Sequence, residues 1–449
     1  MQWRRLTLKN KVNKKEAVTI ISALESGVVP VKGIRHLLVG RNDEVNEVVR
    51  TLERIEEGES DIRFWVGDFG SGKSFMLRTI ESIALQKNFV VSTVDLTPTR
   101  RFVASDGKAR ALYTEIIDNL MIQTSQNGNA LKTIIEEWIH KLASEMASEE
   151  NVSINKILTP KYQRNIENKI IAVSSSFSSV GLSFELGSSV IKYYEGFITG
   201  DQILMLNALR WIRGDIETKT EAKKTLGINK IINDDNWFDA IKNLSELFSS
   251  LGYAGFVLNF DESVNLYKLP MRQTRERNYE KILNIYNECK SNQIKHLFVN
   301  FGATRKTVFD DDRGMASYGA LKTRLGDEHS MDSQFVNTNR TVLPLKPLSN
   351  EDIFTLLNQL VVIYNTDQNE SIDLSLEHIS LYMEEQLNRP GADEFLTPRA
   401  VIKDFIEILA IIKQNPTVEI SMIILQKFGK NSLPVEKDDD NLDDDIEVF

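Results

Sequence analysis

The chain has 449 residues, room for two or three domains, and its 41% hydrophobic and 26% charged content is that of a globular protein in water, not a fibrous or disordered one. One cysteine, Cys289, excludes an intrachain disulfide and fits a reducing, cytoplasmic setting; the five histidines are too scattered for a zinc site, no apolar run reaches the roughly 18 residues of a membrane span, and the first residues do not read as a signal peptide. The net charge of −10 sits mostly in the last 14 residues, whose eight acids and one lysine carry −7, so the nearly neutral body neither demands nor excludes nucleic acid as a partner.

In chain order, residues 1–15 are basic, with six lysines and arginines before the first acid, Glu16. Such a start reads as a solvated arm, the alternative being contact with nucleic acid or a neighbouring subunit. Glu16–Ser26 has helical spacing and Gly27 ends it. After a loop come Gly40 and Arg41, directly before a helix whose Val45, Val48, Val49, Leu52 and Ile55 recur at intervals of three and four. A Gly-Arg pair in this place is expected along an adenine ring, the alternative being a capped surface helix.

The stretch IRFWVGDFGSGKS follows. Gly67, Asp68, Phe69, Gly70, Ser71, Gly72, Lys73 and Ser74 match G-x-x-x-x-G-K-[ST] between a strand-like run and a helix opening at Phe75. Glycines allow successive N–H groups to face phosphate oxygens, and the helix adds its positive end. Lys73 can reach the β- and γ-phosphates, and the Ser74 hydroxyl can face Mg²⁺. ATP and Mg²⁺ are the expected ligands. Phe89–Leu96 is a second strand ending near Asp95, with Arg100 and Arg101 beyond it.

Phe102–Leu251 is mainly helical and far longer than a single crossover needs, so it reads as an insert. Within it, the Ser- and Gly-rich stretch from Ser174 to Ser189 reads as a loop or hairpin, and Gln202–Arg213 as a strong helix. The core resumes at GFVLNFDE, an apolar strand running into Asp261 and Glu262. Asp261 would hold Mg²⁺ and Glu262 would orient the attacking water. Ile294–Thr304 is the fourth strand; Thr304, or alternatively Asn300, would sense the γ-phosphate. In the following loop, Arg324 is preferred over Arg313 as an arginine finger reaching a neighbouring subunit, with plain solvation as the alternative. Thr341–Leu348 is a fifth, edge-like strand. Four helices then fill Ser349–Gly429. One opens with Thr397 as cap and Pro398 in the first turn, where Arg399 opposes the helix dipole and so reads as a second sensor arginine. The tail from Ser432 is disordered by composition.

These motifs, in this order, resemble the AAA+/STAND group of ATPases. The segments AVTIISALESGVVP, VGRNDEV, VGDFGSGKSFMLR, LRWIRGD, GYAGFVLNFDE, RGMASYGALKTRL and LTPRAVIKDF are similar, more narrowly, to the BrxC/BrxD-type ATP-binding proteins of BREX phage-exclusion systems, from about Lys14 to Gln414. Asn259-Phe260 departs from the small or apolar residues usual before the acidic pair. The expected fold is α/β: a three-layer P-loop ATPase sandwich of the additional-strand type, strand order 5-1-4-3-2. Its expected parts are a basic arm and helix (1–35), a core split into 36–101 and 252–348 around a helical insert (102–251), a helical lid (349–430) and an acidic tail (431–449). The resemblance implies ATP hydrolysis driving a conformational switch or motor in an anti-phage assembly, with self-association, other defence proteins such as a helicase or nuclease, and DNA as partners and no membrane. Ile446–Phe449, an apolar tip after an acidic run, resembles tails of bacterial single-stranded DNA-binding proteins that dock on partner enzymes.

Overall fold

The computed structural model describes residues 12–104, 106–177, 181–332, 337–368, 371–389 and 397–429. The basic residues 1–11, most of the expected basic arm, and the tail with Ile446–Phe449 lie outside them. The chain divides into two units: a larger one, Arg41–Pro347, and a smaller one drawn from both ends, up to Gly40 and from Leu348.

The smaller unit begins with α1 (Lys14–Glu25), entered through a capping box in which Asn13 and Glu16 satisfy each other's backbone N–H groups. The larger unit holds α2 (Asn42–Glu56), β1 (Ser60–Val66), α3 (Lys73–Gln86) and β2 (Val90–Asp95). Its insert follows: α4 (Lys108–Asp118), α5 (Leu131–Glu149), α6 (Gln163–Ser175), α7 (Ser183–Thr199), α8 (Gln202–Arg213), α9 (Lys219–Leu226) and α10 (Trp237–Leu251). The sheet then resumes with β3 (Phe256–Asp261), α11 (Arg272–Lys290), β4 (Leu297–Ala303), α12 (Arg305–Phe309), α13 (Gly319–Leu325) and β5 (Val342–Pro344). The smaller unit closes with α14 (Asn350–Asp367), α15 (Leu376–Leu387), α16 (Pro398–Gln414) and α17 (Ile420–Phe428).

Among the described residues the strands form one parallel sheet in the order β2-β3-β4-β1-β5, which from the β5 edge reads 5-1-4-3-2. β1, β3 and β4 are buried at every residue, as parallel strands covered on both faces must be. The register sets Val66 beside Ala303 and Asp95 beside Asp261, so the carboxyl ends of these strands line one edge. β5 is only three residues long, shorter than its sequence suggested; it is an edge strand in which Pro344 pairs with Val66, and the Leu345 N–H still donates to the Val66 carbonyl at 2.8 Å.

The insert shares its core with the sheet. Phe102, fully buried where the insert starts, lies 5.0 Å from Phe260, 5.9 Å from Phe301 and 6.0 Å from Trp237, ring centre to ring centre. The Ser- and Gly-rich stretch expected as a loop or hairpin is helical at most of its described residues: Ser174 and Ser175 end α6 and residues 183–189 open α7, while 176–177 and 181–182 are outside both helices. Its small residues serve helix packing: a Cβ on Gly187 would sit 2.4 Å from the Ser174 Oγ, so α6 and α7 approach closely only because position 187 has no side chain.

In the smaller unit α1 packs on α14 and α16. Its Ala17, Ile20 and Ile21 are buried, and each isoleucine contributes roughly 1.5–3 kcal/mol by leaving water. Tyr382 centres the rest, with its ring 5.1 Å from Phe405 and 5.4 Å from Phe428 and its hydroxyl donating to the Val401 carbonyl at 2.7 Å. No helix among the described residues is long and apolar enough to cross a membrane.

Candidate functional site

The turn between β1 and α3 owes its shape to glycine. Gly70 and Gly72 have φ of 78° and 95°, the left-handed region that side chains disfavour. A Cβ on Gly67 would lie 2.4 Å from the Ser71 Oγ and 3.0 Å from the Leu345 carbonyl oxygen. Gly72 is the N-cap of α3 and no side chain caps that end, so its first amides remain available. The Ser71 hydroxyl is buried without a hydrogen-bond partner. Lys73 folds back over the turn: its Nζ donates to the carbonyls of Gly67 (3.1 Å) and Asp68 (2.8 Å) and lies 5.3 Å from the centre of the Phe69 ring. Phe69 is 73% exposed, an unusual place for phenylalanine. Ser74 and Phe75 occupy the first turn of α3, where the Phe75 carbonyl accepts from Thr79 Oγ1 at 2.8 Å.

Beside this turn stand three carboxylates from strand ends. Asp261 is buried, and its Oδ1 accepts the Glu262 N–H at 2.9 Å. A Cβ on Gly302 would approach that oxygen to 2.7 Å, so glycine on β4 makes room for it. Glu262 has φ of 53°, uncommon for a residue with a side chain. Its carboxyl is pushed above the usual glutamate range, first by burial and then by Asp261 and Asp95, against the pull of Lys73. Asp95 is pushed up in the same way by burial and Asp261, with Arg78 and Arg100 opposing. Lys73 and the acids at 95, 261 and 262 therefore share one electrostatic neighbourhood at the carboxyl edge of the sheet. The Ser74 hydroxyl and Asp261 carboxylate are hard oxygen donors of the kind Mg²⁺ takes, and the pocket Gly302 leaves for Asp261 fits that use.

The remaining candidates are placed differently. Arg41 is buried, and its guanidinium donates to the carbonyls of Lys346 (2.7 Å) and Ser71 (3.1 Å) and to Glu44 (3.2 Å). Thr304 is the N-cap of α12: its Oγ1 accepts the Thr307 N–H at 3.2 Å and lies 2.8 Å from the Thr307 hydroxyl. Arg324 is exposed on α13, donating to Thr323 Oγ1 (2.9 Å) and the Ala320 carbonyl (3.3 Å). Arg313 lies over the Tyr267 ring. Gly40 and Arg399 belong to the smaller unit, Arg399 exposed in the first turn of α16, whose cap is Thr397 and whose first residue is Pro398.

Asn300 has another occupation. Trp65 Nε1 donates to its Oδ1 (3.0 Å), and its Nδ2 donates to Asn259 Oδ1 (3.1 Å). Asn259 Nδ2 donates to Thr93 Oγ1 (3.1 Å), Thr93 Oγ1 donates to Glu81 (2.6 Å), and Glu81 accepts from Arg78 (2.9 Å). One hydrogen-bonded chain thus crosses β1, β4, β3 and β2 and ends on α3. Both the oxygen and the nitrogen of the buried Asn300 side-chain amide are engaged inside the sheet. A signal for this chain was present in FVLNF and LFVNF: an asparagine at the same place in two apolar strands, which the register sets side by side.

No curated protein matches this chain. The family model described as "BREX system ATP-binding protein BrxC/D" matches residues 12–427, a span that takes in the glycine turn, the strand-end acids and most of the smaller unit. The chain belongs to the BrxC/BrxD family of BREX system ATP-binding proteins.

Proposed function

We propose that this protein hydrolyses the ATP it binds and uses the cycle as a conformational switch or motor in its anti-phage assembly, as an AAA+/STAND-like ATPase of the additional-strand type. The observation that carries this reading is the juxtaposition of the glycine turn on β1 with Asp261 and Glu262 on β3, with β4 standing between the two strands. The amides of the turn and of the α3 N-terminus bind phosphate oxygens. Lys73 exchanges its two loop carbonyls for the β- and γ-phosphates. Ser74 and Asp261 hold Mg²⁺, which when bound offsets phosphate charge. Glu262 orients the attacking water, and its raised proton affinity suits a group that takes up a proton. Thr304 serves as the sensor of the γ-phosphate at the end of β4, Arg324 reaches a neighbouring copy, and Arg399 acts as a second sensor arginine. A helicase or nuclease of the same system and DNA complete the assembly, with Ile446–Phe449 as the docking tip.

A second reading is a scaffold that binds ATP and scarcely turns it over. Three engaged side chains favour it: Lys73 bonded to its own loop, Thr304 used as a helix cap, and Asn300 consumed within the sheet. Steady-state ATPase rates with and without DNA, with Lys73→Ala as the binding-dead control, separate the readings. Turnover absent from Lys73→Ala supports hydrolysis; ATP bound without turnover under either condition supports the scaffold.

A further inference from the structure

One buried guanidinium joins the phosphate-binding turn to both places where the chain passes between its two units. Those passages are Gly40–Arg41 and Pro347–Leu348. Arg41, only 6% exposed, bonds through Nη2 to the Ser71 carbonyl of the turn and to the Lys346 carbonyl, and through Nη1 to Glu44 in the first turn of α2. The segment it grips is already close to the turn: the Leu345 N–H donates to the Val66 carbonyl at 2.8 Å, and the Leu345 carbonyl is what a side chain on Gly67 would strike. One residue upstream, Gly40 has φ of 68° and no room for a Cβ, which would lie 2.6 Å from the Asp352 carboxylate. Asp352 belongs to the capping box that starts α14, just past the second passage. Gly40 thus lies close against Asp352 within the smaller unit, and Arg41 bonds the Lys346 carbonyl within the larger.

The grip on Ser71 has a consequence inside the turn. In a trans peptide the carbonyl and the following N–H point in opposite directions. Holding the Ser71 carbonyl fixes the direction of the Gly72 N–H, one of the uncapped amides at the start of α3. Phosphate entering the turn draws on those amides and takes the Lys73 ammonium from the carbonyls it now occupies. The Asp68 carbonyl that Lys73 would release also accepts the Ser71 N–H at 3.2 Å, so both adjustments bear on Ser71, whose carbonyl shares the Arg41 guanidinium with that of Lys346.

We propose that Arg41 is a positioning residue that couples nucleotide in the phosphate turn to the two passages at residues 38–41 and 345–352, instead of lining the adenine. This rests on the turn being the ATP site. Arg41 holds Glu44 through one nitrogen while the other bridges the two carbonyls in a fixed plane; a lysine ammonium has three donors but on one rotating nitrogen of a shorter reach, so it cannot keep that spread, and Arg41→Lys is the decisive variant.

The experiment is hydrogen exchange on the full chain and on Arg41→Lys, each without nucleotide and with saturating Mg-ATP, beside titration with a fluorescent ATP analogue. In the parent, ATP slows exchange in peptides covering 70–76 and also in those covering 345–352. Arg41→Lys binds the analogue about tenfold more weakly, the loss expected for hydrogen bonds to a charged group. Once saturated, it protects 70–76 while 345–352 stays as in the nucleotide-free protein. A merely structural role does not predict that split. Parent-like protection of 345–352 in Arg41→Lys overturns the proposal, as does a parent that protects 70–76 with no change at 345–352, a comparison that stands even if the variant folds poorly. A parent that binds no ATP at all overturns the site reading and this inference with it.

Discussion

Replacing Asn300 by leucine removes the middle link of the hydrogen-bonded chain across the sheet. Two groups lose their partners: the Trp65 indole N–H and the Asn259 amide oxygen, both on residues with no solvent exposure. A buried polar group left unpaired costs about 1–3 kcal/mol, so two cost about 2–6 kcal/mol; set against roughly 1.5–3 kcal/mol for the leucine's own burial, Asn300→Leu should destabilise the larger unit by about 1–4 kcal/mol. Asn259→Leu strands one donor, the Asn300 Nδ2, and removes the donor to Thr93. The double variant strands only the Trp65 N–H of this set, because each leucine removes the group the other would have orphaned. It should therefore be no less stable than Asn300→Leu alone, a non-additivity worth two unpaired groups, about 2–6 kcal/mol. Urea unfolding followed by tryptophan fluorescence measures all four proteins, read from midpoints at unchanged slope. A single variant within about 0.5 kcal/mol of the parent, or a double variant whose losses simply add, would refute the reasoning.

Three further outcomes follow from particular contacts. Asp61 is raised by burial but pulled down further by Arg63 and Lys290, so its carboxyl lies below the usual range. Its contribution is present above the unfolded value of about 3.9 and lost as pH falls through the folded one, so Asp61→Asn should flatten the acid limb of the stability profile below about pH 4; an unchanged limb would deny the pairing. Gly67→Ala places a methyl against Ser71 and the Leu345 carbonyl and should weaken ATP binding at least about tenfold while circular dichroism stays parent-like; parent affinity would show that the turn yields. If Arg324 acts on a neighbouring copy, Arg324→Ala should bind ATP normally but hydrolyse it poorly. Mixing it with Lys73→Ala should then restore turnover, and no rescue at any ratio argues against a finger in trans.

Much of this architecture could be read before any coordinates. The glycine turn was legible because its glycine, lysine and hydroxyl positions follow a local pattern, and β1 and β3 because fully buried parallel strands write themselves as apolar runs. What escaped depends on contacts distant in sequence. That α1 packs on α14 and α16 follows from the tertiary fold alone, since an amphipathic helix does not say which face receives it. The Ser174–Ser189 stretch misled because serine and glycine favour turns locally, whereas here close helix packing prevails over propensity. Arg41 stood in the right place for a nucleotide contact, but its carbonyl partners lie 30 and 305 residues away. Asn300 read as a possible sensor because one strand at a time cannot reveal that its neighbour carries Asn259 at the matching register.

The measurement that bears most directly on the central claim is ATP binding and turnover by Glu262→Gln beside the parent. Glutamine keeps the shape at this left-handed backbone position but loses the charge proposed to orient water. The account predicts parent-like ATP affinity with turnover lowered by at least about a hundredfold, the usual scale of a lost general base. Equal turnover by the two proteins would contradict it.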